Sequence, residues 1–139
     1  LQSAFEKLSE FHDAGAIKRT GMRRPHFAHL DISSKVAILE LREALVKEET
    51  EEFLEALDEY TDALCSDTEV ESCRQHLVKE ICDALYVLIG TAVDLDIDIA
   101  RAFSRVHDNN MKKIQNATVR DDGKLVKDPK HPPVDLSGF

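Results

Sequence analysis

Five carboxylates, Glu48, Glu49 and Glu52 followed by Glu80 and Asp83, have the types and spacing to do chemistry in this chain. Residues three apart share one face of a helix, and Glu49 pairs in this way with Glu52, and Glu80 with Asp83. At about 100° per residue, Ile38, Leu41, Leu45 and Ala56 fall on one side, with Leu39, Val46, Phe53 and Leu57 widening it. Glu49 and Glu52 project into the middle of that apolar stripe, and Glu48 sits at its edge. Glu40, Lys47 and Glu51 point the opposite way, where a solvated face accounts for them. From Ile81 to Val93 the chain is apolar nearly all round and holds one charge, Asp83, so this helix is expected to be buried. Ionised carboxylates gathered in such a seam repel one another and lose solvation, so they take up protons or bind cations. Hard divalent ions, which combine a few carboxylates with water and phosphate oxygens, suit the set. The competing reading is an acidic strip facing solvent or a second subunit.

The elements that must position these groups follow from periodicity. A short helix is expected from Ser3 to about Ala14, ending near Gly15. An irregular connection follows over 21–33, where His26 and His29 beside Pro25 read as loop histidines. Ser33 or Ser34 is the expected cap of a long helix running to about Cys65. After a turn at 66–68, capped by Asp67 or Thr68, a second long helix runs to about Leu95. Asp96 or Asp98 then caps a last helix ending near Ile114, and residues 116–139 are expected to be irregular. The fold class is therefore all-α, four-helix bundle-like, with a long antiparallel helix pair in a single domain spanning 1–139. Glu49 lies 18 residues before Asp67 and Glu80 lies 13 after it. The difference amounts to ~7 Å along the helices, which side chains, turn residues and helix fraying partly absorb.

Composition narrows the function classes. A net charge of −9 argues against a protein that coats nucleic acid, although metal can reverse the local sign for a nucleotide. Cys65, Cys73 and Cys82 are odd in number and form no C-x-x-C pair, so a reduced, cytoplasmic protein is expected. No apolar run approaches the roughly 20 residues that span a bilayer, and no signal-peptide pattern opens the sequence. A ferritin-like di-iron centre would need Glu-x-x-His motifs, and no glutamate here has histidine three residues later. A non-enzymatic helical interaction module is the other alternative.

The pattern Glu48-Glu49-x-x-Glu52, a gap over 53–79, then Glu80-x-x-Asp83 resembles the signature of the MazG-like all-α nucleoside triphosphate pyrophosphohydrolases. That superfamily includes phosphoribosyl-ATP pyrophosphohydrolase and the dimeric dUTPases. Phe11-His12, Arg24-Pro25, Asp83-Ala84-Leu85-Tyr86, Val106-His107, Asn110-Met111, Lys113, Asp122-Gly123-Lys124, Lys127, Pro132 and Pro133 are similar to the subgroup related to phosphoribosyl-ATP pyrophosphohydrolase. The tail departs from it in being short after the prolines. Asp108 and Asn109 also stand where many relatives carry other residues, so base preference does not carry over. The resemblance implies cleavage of a nucleoside or deoxynucleoside triphosphate into monophosphate and pyrophosphate, as nucleotide-pool house-cleaning, with phosphoribosyl-ATP hydrolysis as the alternative. It implies Mg²⁺ or Mn²⁺ held by Glu49, Glu52, Glu80 and Asp83, and Glu48 holding a further metal or orienting and deprotonating the attacking water. Lys113 would pair with phosphate, Asn110 with sugar or base, Lys124 and Lys127 would close over phosphates, and Tyr86 would pack on base or sugar. A homodimer or homotetramer is expected, because the apolar faces exceed what one chain covers.

Overall fold

The structure, a computed structural model, describes residues 1–126 and 128–139. The chain is all-α in class, with four α-helices and one pair of very short strands among the described residues. It divides into two compact units, Leu1–Ile97 and Asp98–Phe139.

In the first unit, α1 (Gln2–Thr20), α2 (Ile32–Ser66) and α3 (Val70–Asp94) are joined by a connection containing a 3₁₀ turn at Phe27–His29. α1 does not stop at Gly15. It runs on to Gly21, which takes φ 76° and donates its N–H to the Ile17 carbonyl, the left-handed C-cap that glycine adopts without a Cβ clash. Gly15 is tolerated inside α1 because the flanking apolar spacing continues through Ala16. α2 begins earlier than the serines suggest: Asp31 is its cap, accepting the Ser34 N–H at 2.8 Å. The turn between α2 and α3 is also built differently from expectation. Asp67 (φ 53°) closes α2 with its N–H on the Ala63 carbonyl, and Glu69 (φ 52°) precedes α3 without a side-chain cap bond.

α3 packs on both α2 and α1. The buried positions are mostly small: Ala16 on α1, Ala56 and Ala63 on α2, and Ala92 on α3, together with Leu8, Ile89 and Val93. Small residues let helix axes approach closely, at the short end of the usual 8–10 Å. Polar bonds lock the same three helices. Asp94 on α3 receives His12 Nδ1 of α1 at 2.6 Å and Arg42 Nε of α2 at 2.6 Å. Gly90 makes room for them, since a Cβ there would meet His12 Nε2 at 3.0 Å and Arg42 Nη1 at 3.2 Å. Asp96, at φ 55°, holds the irregular connection through Arg24 and the Phe27 N–H.

The apolar character of 81–93 does not translate into full burial. Val78, Ile81, Leu85 and Leu88 form an exposed stripe along α3, and Leu54, Leu57 and Leu64 do the same on α2. α3 meets α1 and α2 on part of its circumference, which leaves the remaining apolar face open in a single chain.

In the second unit, α4 (Ile99–Gln115) is capped by Asp98, which accepts the Arg101 N–H at 3.1 Å, and buries Ala100 and Ala102. The segment expected to be irregular contains a small antiparallel ladder, β1 (Thr118–Val119) with β2 (Leu125–Val126), Thr118 opposite Val126 and Val119 opposite Leu125. Gly123 at φ 81° makes the turn, which is the role of an Asp-Gly pair in hairpins. His131 and Phe139 of the tail meet α4: Arg101 and Arg105 sit 4.8 and 4.9 Å from the Phe139 ring centre, and Asn109 meets His131 at 2.8 Å.

Candidate active site

The α2–α3 hairpin brings the two acidic clusters together. Single carboxylate oxygens of Glu49, Glu52 and Glu80 all lie within 4.8 Å of one another, so the unequal distances from the turn are absorbed by side-chain reach. Glu80 is the most deeply buried polar side chain of the unit, at 2% exposure. Glu49 is partly buried and Glu52 opens to solvent. The cluster thus has a closed floor and an open mouth.

Its electrostatics are strained in the way that spacing alone suggests. Burial pushes the Glu49 carboxyl above the ordinary glutamate range, and the neighbouring charges of Glu52, Asp83, Glu80 and Glu48 push it further. Glu49 Oε2 and Glu80 Oε2 are buried and have no hydrogen-bond partner among the described residues. A buried carboxylate oxygen without a donor is costly. Convergent oxygens of this kind are the donor set for a hard divalent cation, so the residues present fit such an ion.

Two basic side chains that spacing could have revealed border the cluster. His76 and Lys79 stand four residues before Glu80 and Asp83 respectively, within reach on a helix. His76 lies between Glu59 (Nδ1 to Oε2, 2.9 Å) and Glu80 (Nε2 to Oε1, 3.1 Å). Lys79 Nζ donates to Glu80 Oε1 at 2.7 Å and meets Asp83 Oδ2 at 2.8 Å. Its hydrogen bonds to Asp83 and Glu80 hold the ammonium above the ordinary lysine range.

The other expected residues are placed as follows. Asp83 borders the cluster through Lys79 and through its influence on Glu49. Glu48 is exposed and lines a shallow depression with Lys47, Glu51, Glu52 and Glu55, outside the three-carboxylate convergence. Tyr86 is half-exposed and stacks edge-on against Phe11, with ring centres 5.5 Å apart. Asn110 and Lys113 share a face of α4, Asn110 exposed and Lys113 half-buried. Lys124 is exposed in the hairpin turn, its N–H on Asp122 Oδ1 at 3.1 Å. Lys127 lies outside the described residues. No described helix is long and apolar enough to cross a membrane.

Among curated proteins no match to the chain is found. The family model of phosphoribosyl-ATP pyrophosphohydrolase matches residues 8–110, a span that takes in all five carboxylates and Asn110. With that match over most of its length, the chain belongs to the phosphoribosyl-ATP pyrophosphohydrolase family, within the MazG-like all-α superfamily, and is a nucleotide pyrophosphohydrolase.

Proposed function

We propose that the chain hydrolyses a nucleoside or deoxynucleoside triphosphate between the α and β phosphates, releasing monophosphate and pyrophosphate with Mg²⁺ or Mn²⁺, as a house-cleaning enzyme of nucleotide pools. The observation that carries this reading is the convergence of Glu49, Glu52 and Glu80 around two unpartnered, buried oxygens. Glu49, Glu52, Glu80 and Asp83 would hold the cation. When bound, it would offset the substrate's negative charge and polarise water and phosphate oxygens.

The chain's own residues supply the rest. Glu48, solvent-exposed one position before the cluster, orients the attacking water and takes its proton on a carboxylate oxygen. The buried floor formed by Glu80 fixes one ligand rigidly, while exposed Glu52 adjusts. Lys113 pairs with phosphate and Asn110 with sugar or base, Lys124 and Lys127 close over phosphates, and Tyr86 packs on base or sugar. The single domain proposed over 1–139 draws support from the family match as far as Asn110, inside the second unit.

Phosphoribosyl-ATP as substrate is the second reading, favoured by the family whose model matches. A panel of canonical and modified NTPs, dNTPs and phosphoribosyl-ATP, assayed for pyrophosphate with Mg²⁺ and with Mn²⁺, tests both. Turnover confined to phosphoribosyl-ATP would overturn the house-cleaning reading.

A further inference from the structure

We infer that Lys79 is a tethered stand-in for the divalent cation, offsetting part of the charge of the carboxylate cluster when metal is absent and giving way when metal arrives. The inference rests on the metal-site reading above. A single ammonium contacts Glu80 Oε1 at 2.7 Å and Asp83 Oδ2 at 2.8 Å, bridging two of the four residues assigned to the metal. One of these, Glu80, is 2% exposed, and its Oε1 meets both Lys79 Nζ at 2.7 Å and His76 Nε2 at 3.1 Å.

Lys79 differs from both carboxylates in being mostly exposed, at 62%. Its charge is carried on a flexible four-carbon stem, so it can leave the cluster without disturbing α3. A Mg²⁺ ion requires oxygen ligands at 2.0–2.1 Å in near-octahedral array. An ammonium retained on the same two carboxylates would sit as a like charge beside it. Metal binding is therefore an exchange of one cation for another: the ammonium moves to solvent or to substrate phosphate as the ion enters. His76 does not serve the same role, because it is held from its other side by Glu59.

Lys79 thus weakens metal affinity while supporting the metal-free fold. Isothermal titration of Mg²⁺ into the wild-type chain, Lys79→Gln and Lys79→Arg, with thermal melts in chelator, tests this. Lys79→Gln should bind Mg²⁺ on the order of three- to tenfold more tightly and melt about 2–4 °C lower without metal. Lys79→Arg, which keeps the charge, should stay close to wild type in both. Saturable Mg²⁺ binding in wild type with equal or weaker affinity in Lys79→Gln would overturn the role of Lys79 and leave the metal site standing. Absence of saturable heat in both wild type and Lys79→Gln would overturn the metal site and this inference together.

Discussion

Glu49 shows why a site of this kind trades stability for function. Burial and four neighbouring carboxylates raise its pKa. A carboxyl whose folded pKa lies above its unfolded value contributes stability at low pH and loses it as pH rises through the folded value. We predict that Glu49→Gln, which cannot ionise, melts higher than wild type at pH 8 in chelator and no higher at pH 4. The same variant should lose pyrophosphate release by at least about a hundredfold. A melt that is unchanged at pH 8 would show that the charge is not strained. Helical spacing was enough to separate Glu49 and Glu52 from Glu40 and Glu51, because the face of a carboxylate follows from its position in the repeat. Lys79 and His76 were missed because a basic residue in an acidic helix reads as ordinary surface until Glu80, which both of them contact, is known to be buried.

The helices are held in register by the Asp94 cluster as much as by apolar packing. Burial pushes the Asp94 carboxyl up, but the hydrogen bond and charge of His12 and the charge and hydrogen bond of Arg42 outweigh it, leaving its pKa below the usual range. Its contribution is present above the unfolded value of about 3.9 and is lost as pH falls through the lower, folded value. Asp94→Asn should therefore cost about 1–3 kcal/mol at pH 7 by urea unfolding, with the gap to wild type closing below about pH 4. Glycine offers a second test. Gly15→Ala should stabilise α1 by up to about 1 kcal/mol, since its Cβ meets only the flexible end of Arg19 at 3.5 Å. Gly90→Ala should destabilise by about 1 kcal/mol despite the same propensity gain, because His12 and Arg42 are pinned by Asp94 and cannot yield. Equal effects at the two positions would contradict this packing. Element number and order were legible from the apolar repeat. Ends were less so, because Gly15 as punctuation competes with a continuing stripe, and a cap is chosen by backbone geometry among several eligible side chains, as at Asp31. The hairpin at 118–126 escaped because its strands are too short to alternate.

For the whole molecule, the exposed Val78, Ile81, Leu85 and Leu88 stripe, with Leu54, Leu57 and Leu64, calls for a second copy of the chain. We predict a dimer or larger assembly by light scattering; a monomeric mass at micromolar concentration would contradict it. The apolar excess, and with it the expectation of a homo-oligomer, was readable in the sequence, whereas the contacts of such an assembly were not, because periodicity records that a face avoids water and not how it is covered. The family assignment makes the protein a nucleotide pyrophosphohydrolase, and its central claim is that the α2–α3 carboxylates perform the cleavage. The most direct test is the phosphorus product released from a nucleotide panel with Mg²⁺ by wild type and by Glu80→Gln, whose helical content is checked by circular dichroism. Wild type should release pyrophosphate and a folded Glu80→Gln none above background; undiminished pyrophosphate release from that variant would contradict the role of these carboxylates.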